Sequence, residues 1–429
     1  MSINLNLGKI EYSKRQAIHK DLEIKIEKDK FRPGFNTRYI YPYELFGEKI
    51  ALPFSYCLRS GLGKRPTRET FPVMKVVKKG CLRDYQKVVR KEALQHLNKR
   101  GSTIISCHCG WGKTFFSIHM AADIRLPTLI IVNKLVLMKQ WKKSIEEFTE
   151  NSKIQMVKTN SKKENNVDFY IVNCQNIPKI GRSFFKRVGT VICDEAHCLL
   201  AESLSKSMTY LNPRYLIALS ATPYRVDGLD ILLEHYFGTQ KIVRELHREH
   251  IVYCIKTGFT PKVELAINGR VNWGKILDSQ SSDKGRNTII IRIVKKYPNR
   301  NFLILTKRVN QGKYLNEEIN KEGISCDTLI GNKQLFDENS RVLIGTSSKI
   351  GTGFDHKKLD ALILASDVEE YFIQYLGRVF RRKDVVPIIF DLVDNNKILK
   401  RHYNTRRSIY IKHGGKIKNV DLKKSSFLY

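Results

Sequence analysis

The sequence predicts an α/β protein: two tandem parallel-sheet domains behind a small N-terminal domain. Three observations carry that expectation. Short β-branched apolar runs recur beyond residue 80: TLIIV (128–132), DFYIV (168–172), TVICD (190–194), YLIAL (215–219), NFLIL (301–305), RVLIG (341–345), ALILA (361–365) and PIIFD (387–391). Each has the length of a strand and the continuous apolar character of one covered on both faces. Helix-period stretches such as KVVRKEALQHL and LVLMKQWKKSIEEF lie between several of them, the alternation that a parallel sheet requires. A chain of 429 residues with this many runs exceeds one compact sheet.

The elements then fall in order. Residues 1–78 form a basic and aromatic block, with RPGFNTRYIYPYELF at its centre and no chemical motif. A small folded core is the expected use of its aromatics, with base stacking as the competing one. The first α/β domain is expected over 79–245 and the second over 246–429. A break is expected near 240–285, where the rhythm lapses and SQSSDKGRN supplies a polar, turn-like stretch. Residues 395–429 carry ten Lys and Arg against one acid, a run that reads as a solvated terminal helix or a duplex-gripping extension.

Composition narrows the function classes. Hydrophobic residues at 42% and aromatics at 10% exclude disorder over most of the length. The 76 Lys and Arg outnumber the 42 Asp and Glu, for a net charge of +34, so a polyanion is the leading partner class. The N-terminal MSINLNLGKIEYSKRQ lacks the apolar core of a secretory signal, and no stretch approaches the roughly 18 apolar residues of a membrane span. Nine scattered cysteines without a CxxC pair argue for reduced thiols and against a zinc ribbon. The expectation is an intracellular protein with no membrane partner.

Three segments carry chemistry. Cys109-Gly110-Trp111-Gly112-Lys113-Thr114 follows the apolar run TIIS and precedes the helix-like FFSIHMAADI. Glycines let backbone N–H groups approach phosphate oxygens, and the following helix presents its positive end. Lys113 would reach the β- and γ-phosphates, and the Thr114 hydroxyl would help hold Mg²⁺. The strict phosphate-loop pattern wants glycine where Cys107 stands, so an ordinary glycine turn before a helix stays open. Asp194 and Glu195 end the apolar strand VICD, where the first acid can bind Mg²⁺ and the second can deprotonate a water. Neighbours on one strand point to opposite faces, which argues against Cys193, His197 and Cys198 as a zinc set. In QYLGRVFRR, Arg378 and Arg381 are spaced three apart and fall on one helical face, where they could neutralise a transferring phosphoryl group. A solvated basic helix is the plain alternative.

These segments occur in the order and spacing of the superfamily 2 nucleic-acid helicases, a resemblance that covers about residues 80–410. LRDYQ (82–86) resembles the adenine-side motif, which would place Arg83 and Gln86 at the base. CGWGKT resembles motif I and DEAH (194–197) motif II. NKLVLMKQW (133–141) resembles motif Ia, VNCQNI (172–177) the later strand-contact motif, and Ser220-Ala221-Thr222-Pro223 motif III. LTKR (305–308) resembles motif IV, GTGFD (351–355) motif V and QYLGRVFRR motif VI. Within the superfamily the chain most resembles the XPB-type branch, which includes phage and archaeal DNA helicases and the transcript-release helicase of poxviruses.

The resemblance implies two RecA-like lobes with ATP and Mg²⁺ between them. Cys109 to Thr114, Gly353 and Asp355 would bind ATP, Thr114 and Asp194 the Mg²⁺. Glu195, Gln374, Arg378 and Arg381 would act in hydrolysis. His197, Ser220, Ala221 and Thr222 would couple it to the polymer. Lys134, Gln175, Asn176, Thr306, Arg308, Thr346 and Thr352 would touch nucleic acid, mainly through phosphates, which implies steep salt dependence. The expected activity is an ATP-dependent DNA helicase or translocase, acting as a monomer. Transcription machinery is a candidate partner, and host cytoplasm or virion the place if the source is a large DNA virus. An RNA-directed helicase, a nuclease-coupled motor and a non-catalytic scaffold are the alternatives; intact Lys113, Glu195 and Arg381 weigh against the last.

Overall fold

The computed structural model describes residues 1–26, 39–108, 110–199, 206–220, 229–266, 269, 271–351, 354, 356–368 and 372–422. The chain divides into two compact units, Met1–Arg244 and Glu245–Tyr429. Among the described residues no helix is long and apolar enough to cross a membrane.

The first unit is built on seven strands: β1 Ser102–Cys107, β2 Thr128–Val132, β3 Ile154–Val157, β4 Phe169–Asn173, β5 Thr190–Cys193, β6 Tyr215–Ser220 and β7 Lys241–Arg244. They form one sheet in the order β3-β4-β2-β5-β6-β1-β7, parallel throughout. Alternate residues feed two separate cores, as the period-2 geometry of strands requires. Ile105, Ile130, Ile192 and Ile217 pack under the helices Asp84–Arg100, Lys113–Ile124 and Leu135–Phe148. Ile104, Leu129, Val191 and Leu216 face the other way, against Ile3, Leu52, Phe54 and the helix Ile231–Phe237.

That second layer explains the N-terminal block. Ser2–Asn6, Lys49–Pro53 and Glu44–Phe46 make a three-stranded antiparallel sheet, and Phe54–Arg59 a short helix behind it. Described residues between Met1 and Cys57 therefore share a core with the first sheet and cover one of its faces, as a parallel sheet requires, while Phe71 and Met74 join the core on the other face.

The second unit repeats the plan. Its strands are β8 His250–Lys256, β9 Phe302–Thr306, β10 Cys326–Leu329, β11 Val342–Thr346, β12 Ala361–Leu364, β13 Ile388–Val393 and β14 Gly415–Asp421. The order β10-β11-β9-β12-β13-β8-β14 is the first sheet's order advanced by seven, again all parallel. Each unit has the RecA-like α/β arrangement that the sequence predicts.

Two expectations need correction. The two units do divide within the expected 240–285, between Arg244 and Glu245, but the rhythm does not lapse there: β7 and β8 lie within it, and SQSSDKGRN is a corner between the helices Trp273–Ser282 and Lys284–Lys296. Asp283 caps the second of these by accepting from the Arg286 N–H. The basic C-terminal run is not a freely solvated helix: through residue 422 it packs on the second sheet, with Lys400, Arg401 and Arg407 left exposed. Its helix Lys397–Lys412 buries His402, Tyr403, Arg406 and Tyr410, and β14 continues the sheet beside β8. Arg406 grips both oxygens of Asp391, each at 2.8 Å, and Asp367 at 3.0 Å.

Candidate nucleotide-binding site

In an open parallel sheet, ligands bind beyond the carboxyl ends of the strands. In the first unit β6 lies between β1 and β5, so the loops after all three emerge side by side. The loop after β1 runs into the helix Lys113–Ile124. Gly110 and Gly112 have φ of 81° and 94°, a left-handed backbone that side chains resist. At Gly112 a Cβ would also meet Gln86 Nε2 at 2.9 Å. Both glycines are thus required by the loop's shape. Its start is tied to the sheet edge by the His108 N–H donating to the Arg244 carbonyl at 3.3 Å. Lys113 Nζ donates to the Cys107 carbonyl at 2.7 Å and lies 3.4 Å from that of His108, curled over the loop that a phosphate would fill. Cys107, the departure from the strict pattern, is buried, and burial pushes its thiol up to about 12, so it is a packing residue.

Gln86 is enclosed, and both ends of its amide are occupied. Its Nε2 donates to the Trp111 carbonyl at 3.1 Å, and its Oε1 accepts from the Arg83 N–H at 3.0 Å. In this arrangement it braces the loop rather than facing a base. Arg83 is exposed and donates to the Tyr85 hydroxyl at 2.7 Å, and the Tyr85 ring lies 5.7 Å from Trp111. Tyr85 is an aromatic surface beside the loop that the sequence reading did not single out.

Asp194 and Glu195 leave the end of β5 with different environments. Burial and the neighbouring Glu195 push the Asp194 carboxyl well above the usual carboxylate range, while the Trp141 indole and Lys113 pull it back. Trp141 Nε1 donates to Asp194 Oδ2 at 2.8 Å. Glu195 has φ 49°, and its Oε2 is shielded from solvent with no hydrogen-bond partner. The buried Asp194 carboxylate, with Thr114 in the first turn of the helix that follows the loop, is a donor set that fits a hard cation such as Mg²⁺, while Glu195 Oε2 receives no hydrogen bond and lies 3.6 Å from His197 Nδ1. His197 Nδ1 is 2.9 Å from the Ser220 hydroxyl at the end of β6, so motifs II and III are in direct contact. Beyond β2 and β4, which are neighbours, lie Lys134, exposed Gln175 and half-buried Asn176, on one end of the sheet.

The second unit holds its assigned residues more tightly than the sequence reading assumed. Arg378 is 8% exposed and donates to the Phe354 carbonyl and the Gly351 carbonyl, each at 2.5 Å. It is a strut for the motif V backbone in this conformation, not an extended finger. Gln374 is buried and Arg381 half-buried. Thr306 is fully enclosed in the sheet, and Arg308 pairs with Asp278 at 2.7 Å and with the Gly274 carbonyl at 2.9 Å. Thr306 is thus enclosed, while Arg308 keeps about a third of its side chain, 34%, exposed. Thr346 is half-buried, its hydroxyl 3.3 Å from that of Ser348. Cys109, Ala221, Thr222, Thr352, Gly353 and Asp355 lie outside the described residues.

Residues 79–225 match the family described as type III restriction enzyme, res subunit. A protein of Invertebrate iridescent virus 6 named as a helicase, 161L, is 45% identical over 448 aligned positions, covering 98% of this chain and all of its own length. The chain belongs to the superfamily 2 helicases. A second viral protein named as a helicase, 055L of Frog virus 3 (isolate Goorha), is 32% identical and shares 79% of each chain with this one. The fold is also that of S. cerevisiae Dbp5 solved with RNA and ADP BeF3, with a TM-score of 0.55 at 14% identity, over 78% of this chain and 89% of that one. The first unit brings the phosphate-loop segment, the two acids and the His197–Ser220 contact together at one end of its sheet.

Proposed function

We propose that this helicase is an ATP-driven DNA translocase or unwinding enzyme, of the XPB-like branch, working in viral transcription at transcript release. The observation that carries the ATP-driven part is the shared carboxyl end of β1, β5 and β6, with Lys113, Asp194, Glu195 and His197 in mutual reach of one phosphate site. The DNA preference and the transcription role rest on motif resemblance: Gln374 where the RNA-directed DEAD-box branch has histidine, and the LRDYQ, LVLMKQW and QYLGRVFRR segments.

The chain's own groups divide the work. Gly110 and Gly112 let the loop N–H groups close on the phosphates, and Lys113 exchanges the Cys107 carbonyl for phosphate oxygens. Magnesium bound with ATP supplies charge neutralisation, and Thr114 and Asp194 are the residues that would hold it. Glu195, whose Oε2 receives no hydrogen bond and lies 3.6 Å from His197 Nδ1, accepts the proton of the attacking water. The His197–Ser220 contact carries the change at β5 to β6 and onward to Ala221 and Thr222. Motif resemblance assigns Arg378 and Arg381 to the hydrolysis step. Arg378 can serve only by exchanging its bonds to Phe354 and Gly351, so its contribution depends on a conformational change.

Steady-state ATP hydrolysis at matched salt, with no polymer, single-stranded DNA, duplex DNA or RNA, tests this reading. Stimulation by DNA that Lys113→Ala abolishes is the expected result. Stimulation by RNA alone overturns the DNA assignment, and DNA binding without hydrolysis in any condition overturns the motor.

A further inference from the structure

We propose that Trp141 is a positioning residue for the magnesium-binding carboxylate, and that its indole N–H fixes Asp194 so that one oxygen stays turned toward the nucleotide. The inference rests on the reading of Asp194 as the metal ligand. Trp141 is 2% exposed and lies in the helix Leu135–Phe148, whose buried side Leu137, Met138, Trp141 and Ile145 define. Its ring packs in the core between that helix and the sheet, with only the N–H reaching a polar group. The group it reaches is Asp194 Oδ2, at 2.8 Å, 53 residues along the chain. The acceptor's backbone is fixed as well, because the Asp194 N–H donates to the Ile131 carbonyl at the end of β2. The carboxylate is therefore held at both ends: its main chain by β2, and one oxygen by a ring that packing keeps still.

The chemistry of the donor favours this role. A lysine or arginine in the same place would put a positive charge where the metal must come, whereas a neutral N–H orients the carboxylate without competing with a cation. The indole holds Oδ2 and the Glu195 backbone N–H also donates to the carboxylate, two neutral donors that fix its orientation without adding charge. A phenylalanine would fill nearly the same space and lose only the hydrogen bond.

Two measurements decide it. The chain contains three tryptophans, so ¹⁵N-labelled protein gives three indole N–H signals, assigned with Trp141→Phe or by elimination with Trp111→Phe and Trp273→Phe. Asp194→Asn is expected to shift the Trp141 signal in nucleotide-free protein; an unmoved signal overturns the contact. Trp141→Phe is expected to raise the Mg²⁺ concentration for half-maximal ATP hydrolysis by about 10-fold or more, while ATP binding in EDTA stays as in the wild type. Equal Mg²⁺ dependence in the two proteins overturns the positioning role. If the wild-type protein hydrolyses no ATP, it is the proposed function that fails, and the indole signal alone decides whether Trp141 holds Asp194.

Discussion

Glu195 sits in left-handed backbone at φ 49°, which costs a non-glycine residue about 1–3 kcal/mol. The cost is retained at the point where the chain turns a carboxylate oxygen into a shielded space, without a hydrogen bond and 3.6 Å from His197 Nδ1. Glu195→Gln keeps the shape and removes the proton acceptor. We expect kcat for ATP hydrolysis to fall about 10²–10⁴-fold with nucleotide affinity within a few-fold of wild type, read by steady-state hydrolysis and equilibrium binding. Hydrolysis at the wild-type rate would place the base elsewhere. At this scale, legibility followed distance along the chain. Lys113, Asp194 and Glu195 could be read because their chemistry sits beside glycines or at a strand end. Trp141 could not, because its partner is 53 residues away and a tryptophan at helical spacing reads as core. Arg308 and Thr306 were placed on the polymer track by motif position. Motif position does not reveal that Asp278, 30 residues upstream, claims the guanidinium, or that the threonine points into the sheet.

The elements show the same division between central and peripheral. All eight apolar runs are strands to within one or two residues, because central strands are covered on both faces and must be continuously apolar. The four edge strands β3, β7, β10 and β14 escaped notice, and so did β8, HIVYCIK, although it lies between β13 and β14. Each edge strand is partly exposed and carries polar residues, as in CDTL and GKIKNVD, so it lacks the pattern that marks its neighbours. The last of these edges is secured by the helix Lys397–Lys412, and that helix by Arg406. The guanidinium compensates Asp391 and Asp367, and Tyr410 and His402 complete the pairing at 2.9 Å and 2.7 Å. Removing the cation leaves two enclosed carboxylates facing each other's charge. Arg406→Ala should therefore destabilise the second unit by about 3–5 kcal/mol, seen as an earlier transition in urea. Arg407→Ala, at an exposed position of the same helix, should change it by less than about 0.5 kcal/mol. Similar losses from both would mean that the helix is held by general charge rather than by this network.

Across the whole molecule the two sheets share one strand order, although the sequence shows no internal repeat. The order survives because it is set by where apolar runs and crossovers fall, not by particular side chains. Each unit also encloses histidines. Burial holds His119 and His235 in the first unit, and His250 and His356 in the second, below the ordinary imidazole value. His235 is the furthest displaced, at about 4; Arg59 lowers it further, and Asp21 only partly opposes. Its ring lies 5.6 Å from Tyr56 of the N-terminal block, in the layer that covers the first sheet. The folded state favours the neutral ring, while the unfolded chain takes up a proton near pH 6.5. Between about 4 and 6.5 the unfolded state holds more protons, so stability rises with pH; it is complete above 6.5 and is lost as the pH falls toward 4. His235 alone accounts for about 3 kcal/mol across that interval. Thermal unfolding from pH 7.5 to 4.5 should show the transition temperature falling steadily below 6.5, with a shallower fall in His235→Phe if that variant is as stable as the wild type at pH 7.5. An unchanged slope in that variant would assign the acid sensitivity to the other enclosed histidines instead.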